Sequence, residues 1–205
     1  MRRGAIIVLV LASALPSARA AVDPALLARI DAAARGTQTL SAEFTQKNRM
    51  KLFKQVLASK GALTFRAPRQ IRWEYLSPDP SLMILDGKQA TMRSPGAAPQ
   101  VFDLEKDATM RAIFDQLLTF VGGGSIAQME AAYTMDARGP AATPSLVLTP
   151  KPGSAVEKAF TRIELDFDAK TQVKQILLVE KNGDEKVIQF TRVERNGRIA
   201  PDSFR

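Results

Sequence analysis

The chain contains no cysteine and no histidine. The first absence excludes disulfides and thiol nucleophiles. The second removes the usual general base of hydrolases, so neither a Ser-His-Asp nor a Cys-His arrangement nor an ordinary zinc site is available. A Gly-x-Ser-x-Gly elbow is missing too. Gly122-Gly123-Gly124-Ser125 lacks the lysine and spacing of a phosphate loop, and reads instead as a hinge between helices. Aromatic residues are scarce; the single tryptophan, Trp73, and one of the two tyrosines, Tyr75, nonetheless fall on the same short segment. After the N-terminus no apolar run approaches the ~20 residues that cross a bilayer. Covalent catalysis is thus an unpromising direction, and no cofactor is implied.

What is present begins with an export signal. Arg2 and Arg3 form a basic start, Ala5 to Leu15 an apolar core too short to span, and Ala18-Arg19-Ala20 a small-x-small cleavage site. Cleavage after Ala20 is expected to leave residues 21–205 as one domain in the periplasm, large enough to hold a core without disulfides. The formal charge of +8 loses Arg2, Arg3 and Arg19 with the signal, leaving +5. That balance suits weak attraction to anionic membrane surfaces or acidic partners. Nucleic acid is not an expected partner, because export removes the chain from it and Arg66, Lys151, Lys158 and Lys186 are dispersed.

The element order is α+β. Asp23-Pro24 opens a helix with an apolar stripe of Leu26, Leu27, Ile30, Ala33 and Ala34, ended by Gly36. Alternation then marks strands at Ala42 to Gln46, Leu63 to Arg66 and Ile71 to Tyr75, with Asp86-Gly87 as a hairpin turn and Val101 to Leu104 as a further strand. Asp107 caps a helix whose apolar face comprises Met110, Ile113, Phe114, Leu117, Leu118 and Val121. After the glycine run, Ser125 and Gln128 form a capping box for a second short helix. Strands resume at Tyr133 and continue through Leu146 to Leu148, Thr161 to Phe167, Gln175 to Glu180 and Lys186 to Val193, with turns at Asn182-Gly183 and Asn196-Gly197.

Glu164, Asp166 and Asp168 alternate along one strand. Calcium usually takes six to eight oxygens from a loop that turns round the ion, whereas here Ile163, Leu165 and Phe167 form the opposite face. A solvated strand face is expected and no metal site. The apolar side chains are the more informative set: Phe44, Leu63, Phe65, Ile71, Trp73, Tyr75, Met83, Leu85 and Met92 on the strands, with Met110, Phe114, Leu117 and Leu118 on the helix. Periodicity alone does not separate a filled core from a fillable hollow.

The succession Gly61-x-Leu63-x-Phe65-x-x-Pro68-x-x-Ile71-x-Trp73, then Pro78-x-x-x-Leu82 and Asp86-Gly87, resembles the periplasmic lipoprotein-carrier (LolA-type) family. Leu40 to Gln46 is similar to its opening strand, and the helical insertion and Phe204 agree in order. The resemblance implies an unclosed antiparallel β-barrel of about eleven strands, with an N-terminal helix and an inserted helical lid. Acyl chains of a lipoprotein or other acylated cargo would lie between the two, lined by the thirteen residues just named. It further implies a monomer that takes cargo from an inner-membrane ABC exporter and hands it to an outer-membrane acceptor, with no covalent chemistry. Family carriers have arginine immediately before the motif proline, where it governs lid closure. Here that position is Ala67, which leaves Arg66, Arg69 and the Gly122, Gly123 and Gly124 hinge as the candidates for lid control. A different class of function on the same barrel, a periplasmic module sensing a lipidated signal, stays open, as does a purely structural protein with a filled core.

Overall fold

The computed structural model describes residues 22–52, 55–121 and 125–205. The signal expected at 1–20 and the hinge expected at Gly122 to Gly124 lie outside the described residues. Helix α1 (Pro24–Arg35) starts where the Asp23 carboxylate accepts the Ala25 amide at 2.9 Å, and it buries Leu26 and Ile30. Six strands follow: β1 (Thr39–Met50), β2 (Gln55–Arg66), β3 (Gln70–Ser77), β4 (Ser81–Asp86), β5 (Gln89–Arg93) and β6 (Gln100–Asp103). Helices α2 (Ala108–Val121) and α3 (Ile126–Ala132) interrupt them. Strands β7 (Tyr133–Arg138), β8 (Ser145–Pro150), β9 (Phe160–Phe167), β10 (Val173–Glu180) and β11 (Glu185–Arg195) complete the chain, with a single 3-10 turn at Ala155–Lys158.

All eleven strands join one antiparallel sheet in the order β6-β5-β4-β3-β2-β1-β11-β10-β9-β8-β7, unclosed because β6 and β7 are its two edges. Hairpin turns explain each half. The β1–β11 seam does not follow from any turn, since its strands come from opposite ends of the sequence. Asn196, with φ of 59°, holds that seam at one end. Its side-chain oxygen accepts from the Gln38 amide at 2.7 Å, while its amide nitrogen donates to the Gly36 carbonyl at 2.9 Å. The expected turn at Asn196-Gly197 is therefore a clamp between the end of β11 and the α1–β1 junction.

One face of the sheet is apolar and is roofed by the helices. Phe65, Ile71, Leu85, Leu146, Leu148, Ile163 and Leu165 are fully buried there, together with Phe114 of α2. Burying each such side chain contributes roughly 1.5–3 kcal/mol, which makes this layer the main source of stability. The caps of the lid helices are as the sequence indicates. The Asp107 carboxylate accepts the Met110 amide at 2.9 Å, and Ser125 and Gln128 satisfy one another's backbone amides.

The stripe of α2 differs from expectation in one respect. Phe114, Leu118, Phe120 and Val121 are buried, but Ile113 is 54% exposed. Ile113 and Phe120 stand two turns apart on one flank, so that flank is covered only toward the helix's C-terminal end. The acidic row on β9 is engaged side by side with its neighbours. Glu164 pairs with Arg162, Asp166 accepts from Ser145 and Gln175, and Asp168 accepts the Lys170 and Gln172 amides.

Candidate functional site

The cross-strand register assembles the site from β1 to β5. Leu63 lies opposite Trp73, Trp73 opposite Met83, and Met83 opposite Met92; a second row runs Phe65, Ile71, Leu85 and Ala90. Side chains directly opposite in an antiparallel pair share a face. The two rows therefore put the tryptophan, both methionines and the branched residues on the side roofed by the helices.

Gly61 explains the packing of the aromatics. It pairs with Phe44 on one side and Tyr75 on the other. A Cβ at Gly61 would lie 2.1 Å from the Glu74 carbonyl oxygen and 2.3 Å from Cζ of Phe44. Without that carbon the Phe44 ring lies across the strand and meets Trp73 at 4.6 Å between centroids and Tyr75 edge-on at 5.4 Å. Phe190 of β11 reaches Trp73 from the far side of the seam at 6.2 Å. Such tilted and edge-to-face pairs add to what burial alone supplies.

Two polar groups enter this aromatic cluster. The Tyr75 hydroxyl donates to Gln46 Oε1 at 2.9 Å, and Gln46 donates onward to Asn48 at 2.9 Å. Burial raises the Tyr75 phenol above its ordinary pKa, an effect partly offset by Trp73 and Gln46 beside it. The Trp73 indole nitrogen is buried with no acceptor in hydrogen-bonding geometry. A buried donor left unpaired costs free energy, so this spot is polar without being satisfied.

Among the described residues, side chains on the sheet side tie α2 down. Arg69, in the turn between β2 and β3, donates to Asp115 of α2 at 2.8 Å and to the Gly87 carbonyl at 3.3 Å. Tyr133, at the start of β7, donates its hydroxyl to Gln116 of α2. Arg66 does not reach the lid. Its guanidinium donates to the Ala200 carbonyl at 3.2 Å and stacks over Phe204 at 4.8 Å, fastening the C-terminal segment instead. The alternation explains this split, because Arg66 ends β2 on one face while Arg69 sits beyond Pro68 where the turn has reversed. Asp115 was not among the sequence candidates; its signal is a carboxylate embedded between Phe114 and Leu117-Leu118.

The open space lies elsewhere than the tryptophan face suggests. Phe44, Leu63, Phe65, Ile71, Trp73, Leu85, Phe114 and Leu118 are packed into one buried core, with Tyr75, Met83, Met110 and Leu117 at its margin. Met92, opposite Met83 in the short strand β5, is 39% exposed. Of the thirteen expected lining residues, only Leu63 borders the apolar cavity beside α1. That cavity is bounded by Ile30 of α1, Phe120 of α2, Met129 of α3, and strands β1, β9, β10 and β11. Its volume is about 50 Å³, room for a few waters and far below the several hundred Å³ of a ligand pocket. The Phe44 ring, lying over Gly61, is what fills the region where the sequence led us to expect the hollow.

An unclosed antiparallel half-barrel roofed by helices over an apolar face is shared, as a fold, with two solved structures. The MucB structure matches with a TM-score of 0.54 at 18% identity, covering 88% of this chain and 61% of that one. The Mycobacterium tuberculosis lipoprotein LppX matches with a TM-score of 0.51 at 14% identity, covering 88% of this chain and all of that one. The sequence defines the family more closely. Residues 35–205 match the family model described as outer membrane lipoprotein carrier protein LolA, and the chain belongs to that family. Among curated relatives, an outer-membrane lipoprotein carrier protein of Xanthomonas oryzae pv. oryzae is 30% identical over 183 residues, 86% of this chain and 81% of that protein.

Proposed function

We propose that this chain is a periplasmic carrier that shields the acyl chains of a lipoprotein, or of another lipid-linked molecule, on the way from the inner to the outer membrane. The observation that carries the proposal is the roof itself. An apolar helix covers an apolar sheet face, and the ties across the gap are few and polar, so the helix can exchange places with an apolar ligand. Family membership supplies the cargo class. Residues 21–205 act as one domain after cleavage of the signal, and an inner-membrane ABC exporter loads it while an outer-membrane acceptor unloads it. No bond is made or broken, because transfer follows relative affinity, and the protein is not an enzyme.

Native mass spectrometry of protein recovered gently from the periplasm tests this reading. Acylated cargo is expected on a fraction of the molecules. Recovery of the protein entirely free of lipid and lipoprotein, from cells in which it is functional, would count against it. A sensing module is the alternative, and its mark would be an acylated ligand that stays bound when acceptor membranes are added.

Arg69 takes the place in lid control that Ala67 cannot fill. Both members of the Arg69–Asp115 pair are part-exposed, so the pair contributes at most about 1 kcal/mol. Asp115→Asn is therefore expected to speed uptake of a fluorescent acyl probe by up to about fivefold while barely moving the melting temperature. Uptake rates that stay at the wild-type value in both Asp115→Asn and Arg69→Gln would remove the pair from lid control.

A further inference from the structure

The cavity beside α1 is apolar on most of its wall, with Leu63, Phe120, Val121, Leu165, Phe167 and Phe190 contributing, yet Arg195 borders it too. Arg195 ends β11 opposite Leu40, part-buried. Its Nε is fully buried and finds no hydrogen-bond partner, and no carboxylate lies within ion-pair distance of it among the described residues. Arginine is otherwise the side chain best suited to planar, two-pronged pairing with a carboxylate or phosphate. A half-buried guanidinium without an anion is therefore an unfilled position rather than a stabilising one.

The surroundings of Arg195 explain why none of the described residues fills it. Asp168 acts on it through space without coming into ion-pair contact, and its Oδ1 is held in the β9–β10 turn by the Lys170 and Gln172 amides. Asp31, on the α1 wall of the same cavity, is paired with Arg35 at 2.5 Å. The Thr37 hydroxyl donates to the Ala33 carbonyl. Burial lowers the guanidinium's pKa, and the Asp168 charge offsets this only in part. The backbone next to it is fixed. Asn196 clamps Gln38 and Gly36, and the Thr39 hydroxyl donates to the Gly197 carbonyl at 2.7 Å. The site is thus held in place before any ligand arrives.

We infer that Arg195 anchors the acidic head, phosphate or carboxylate, of an amphiphile whose apolar chain enters the adjoining cavity as the lid opens. This rests on the carrier reading and adds the charge of the ligand to it. Because Arg195 is part-exposed, the head would stand where the cavity meets solvent and the chain would run inward toward Leu63 and Phe120. A neutral molecule of the same length would gain the apolar contacts but not the anchor.

Calorimetric titration of the full mature protein with dodecanoate, dodecyl phosphate and dodecanol tests the inference, with inorganic phosphate as the head without a chain. The two acidic amphiphiles are expected to bind about tenfold more tightly than dodecanol, the scale of one charge-assisted hydrogen bond. In Arg195→Gln that advantage should vanish, and in Arg195→Lys it should shrink; circular dichroism verifies that both variants are folded. Equal affinities for acid and alcohol in the wild type would overturn the inference. So would an acid preference that survives Arg195→Gln, an absence of binding by all three amphiphiles, or inorganic phosphate binding as tightly as dodecyl phosphate. A failure of this kind in a protein that still carries acylated cargo from the periplasm would leave the carrier reading standing. Absence of cargo there would defeat that reading instead.

Discussion

A covalent tether between the lid helix near Leu117 and the sheet near Trp73 is expected to abolish uptake of an acyl probe while leaving the fold intact. The apolar cavity bordered by Phe120 and Val121 of α2, at about 50 Å³, does not hold an alkyl chain, so α2 is expected to move before one enters there. Exposing Phe114, Leu118, Phe120 and Val121 of that helix would cost on the order of 6–12 kcal/mol at the usual value for each side chain. Burying about ten methylenes of cargo returns ~8 kcal/mol. The two quantities are of similar size, which is the condition for exchange in the proposed carrier: a ligand that replaces the helix can itself be replaced. The chain has no cysteine of its own, so a pair introduced at positions flanking Leu117 and Trp73, with geometry suited to a disulfide, provides the only thiols. The reduced form should load and the oxidised form should not. Full loading of the oxidised protein would leave only a rigid hollow entered from the side.

The second large effect is expected from one carbon atom. Gly61→Ala places a methyl group against the Glu74 carbonyl and the Phe44 ring at distances no real Cβ occupies. The ring could swing away, but the carbonyl belongs to the neighbouring strand of the β2–β3 ladder and could not do so alone. Overpacking of this kind costs about 1–3 kcal/mol, and here the upper end is expected because the obstacle is backbone. Phe44→Ala removes the ring instead and should cost about 3–5 kcal/mol, as for other buried phenylalanines. Against a total stability of about 5–15 kcal/mol, either is a large fraction. Urea unfolding followed by Trp73 fluorescence measures both, since Phe44 packs on Trp73. A Gly61→Ala protein with an unshifted midpoint would show that the Glu74 carbonyl does not crowd position 61 as described.

Gly61 also marks where sequence reasoning reached and where it stopped. Its place in the Gly-x-Leu-x-Phe pattern was visible, but glycine in a strand reads as a bulge or a close approach, and only the register of three strands shows which. Local signals served well wherever the determinant was local: the Asp23 and Asp107 caps, the Ser125–Gln128 box, the Asp86-Gly87 turn and the alternation of β9. The inward set from Phe65 to Leu85 was legible for the same reason, as a period of two assigns faces. Whether a face meets a void or a ring depends on residues distant in sequence, and Phe44 and Phe190 come to Trp73 from two other strands. Arg195 carried no local sign at all. It reaches the cavity only through the β1–β11 seam, which no turn announces. Arg66 and Arg69 looked equivalent from the sequence, and the turn at Ala67 to Arg69 sent one to the C-terminal segment and the other to α2.

That seam has a consequence for how the chain assembles. Gln38 and Asn196 meet although 158 residues separate them, and β1 lies in the middle of the sheet with β11 as its neighbour. A chain delivered N-terminus first could lay down the β1–β6 meander early, but the central edge of that meander would stay unpaired until the last strand arrived. Unpaired edges invite pairing with other chains, and pairings that span most of a sequence form slowly. Strand β11 therefore works as a keystone: the two halves of the sheet, each built from short-range hairpins, become one surface only once β11 has paired with β1.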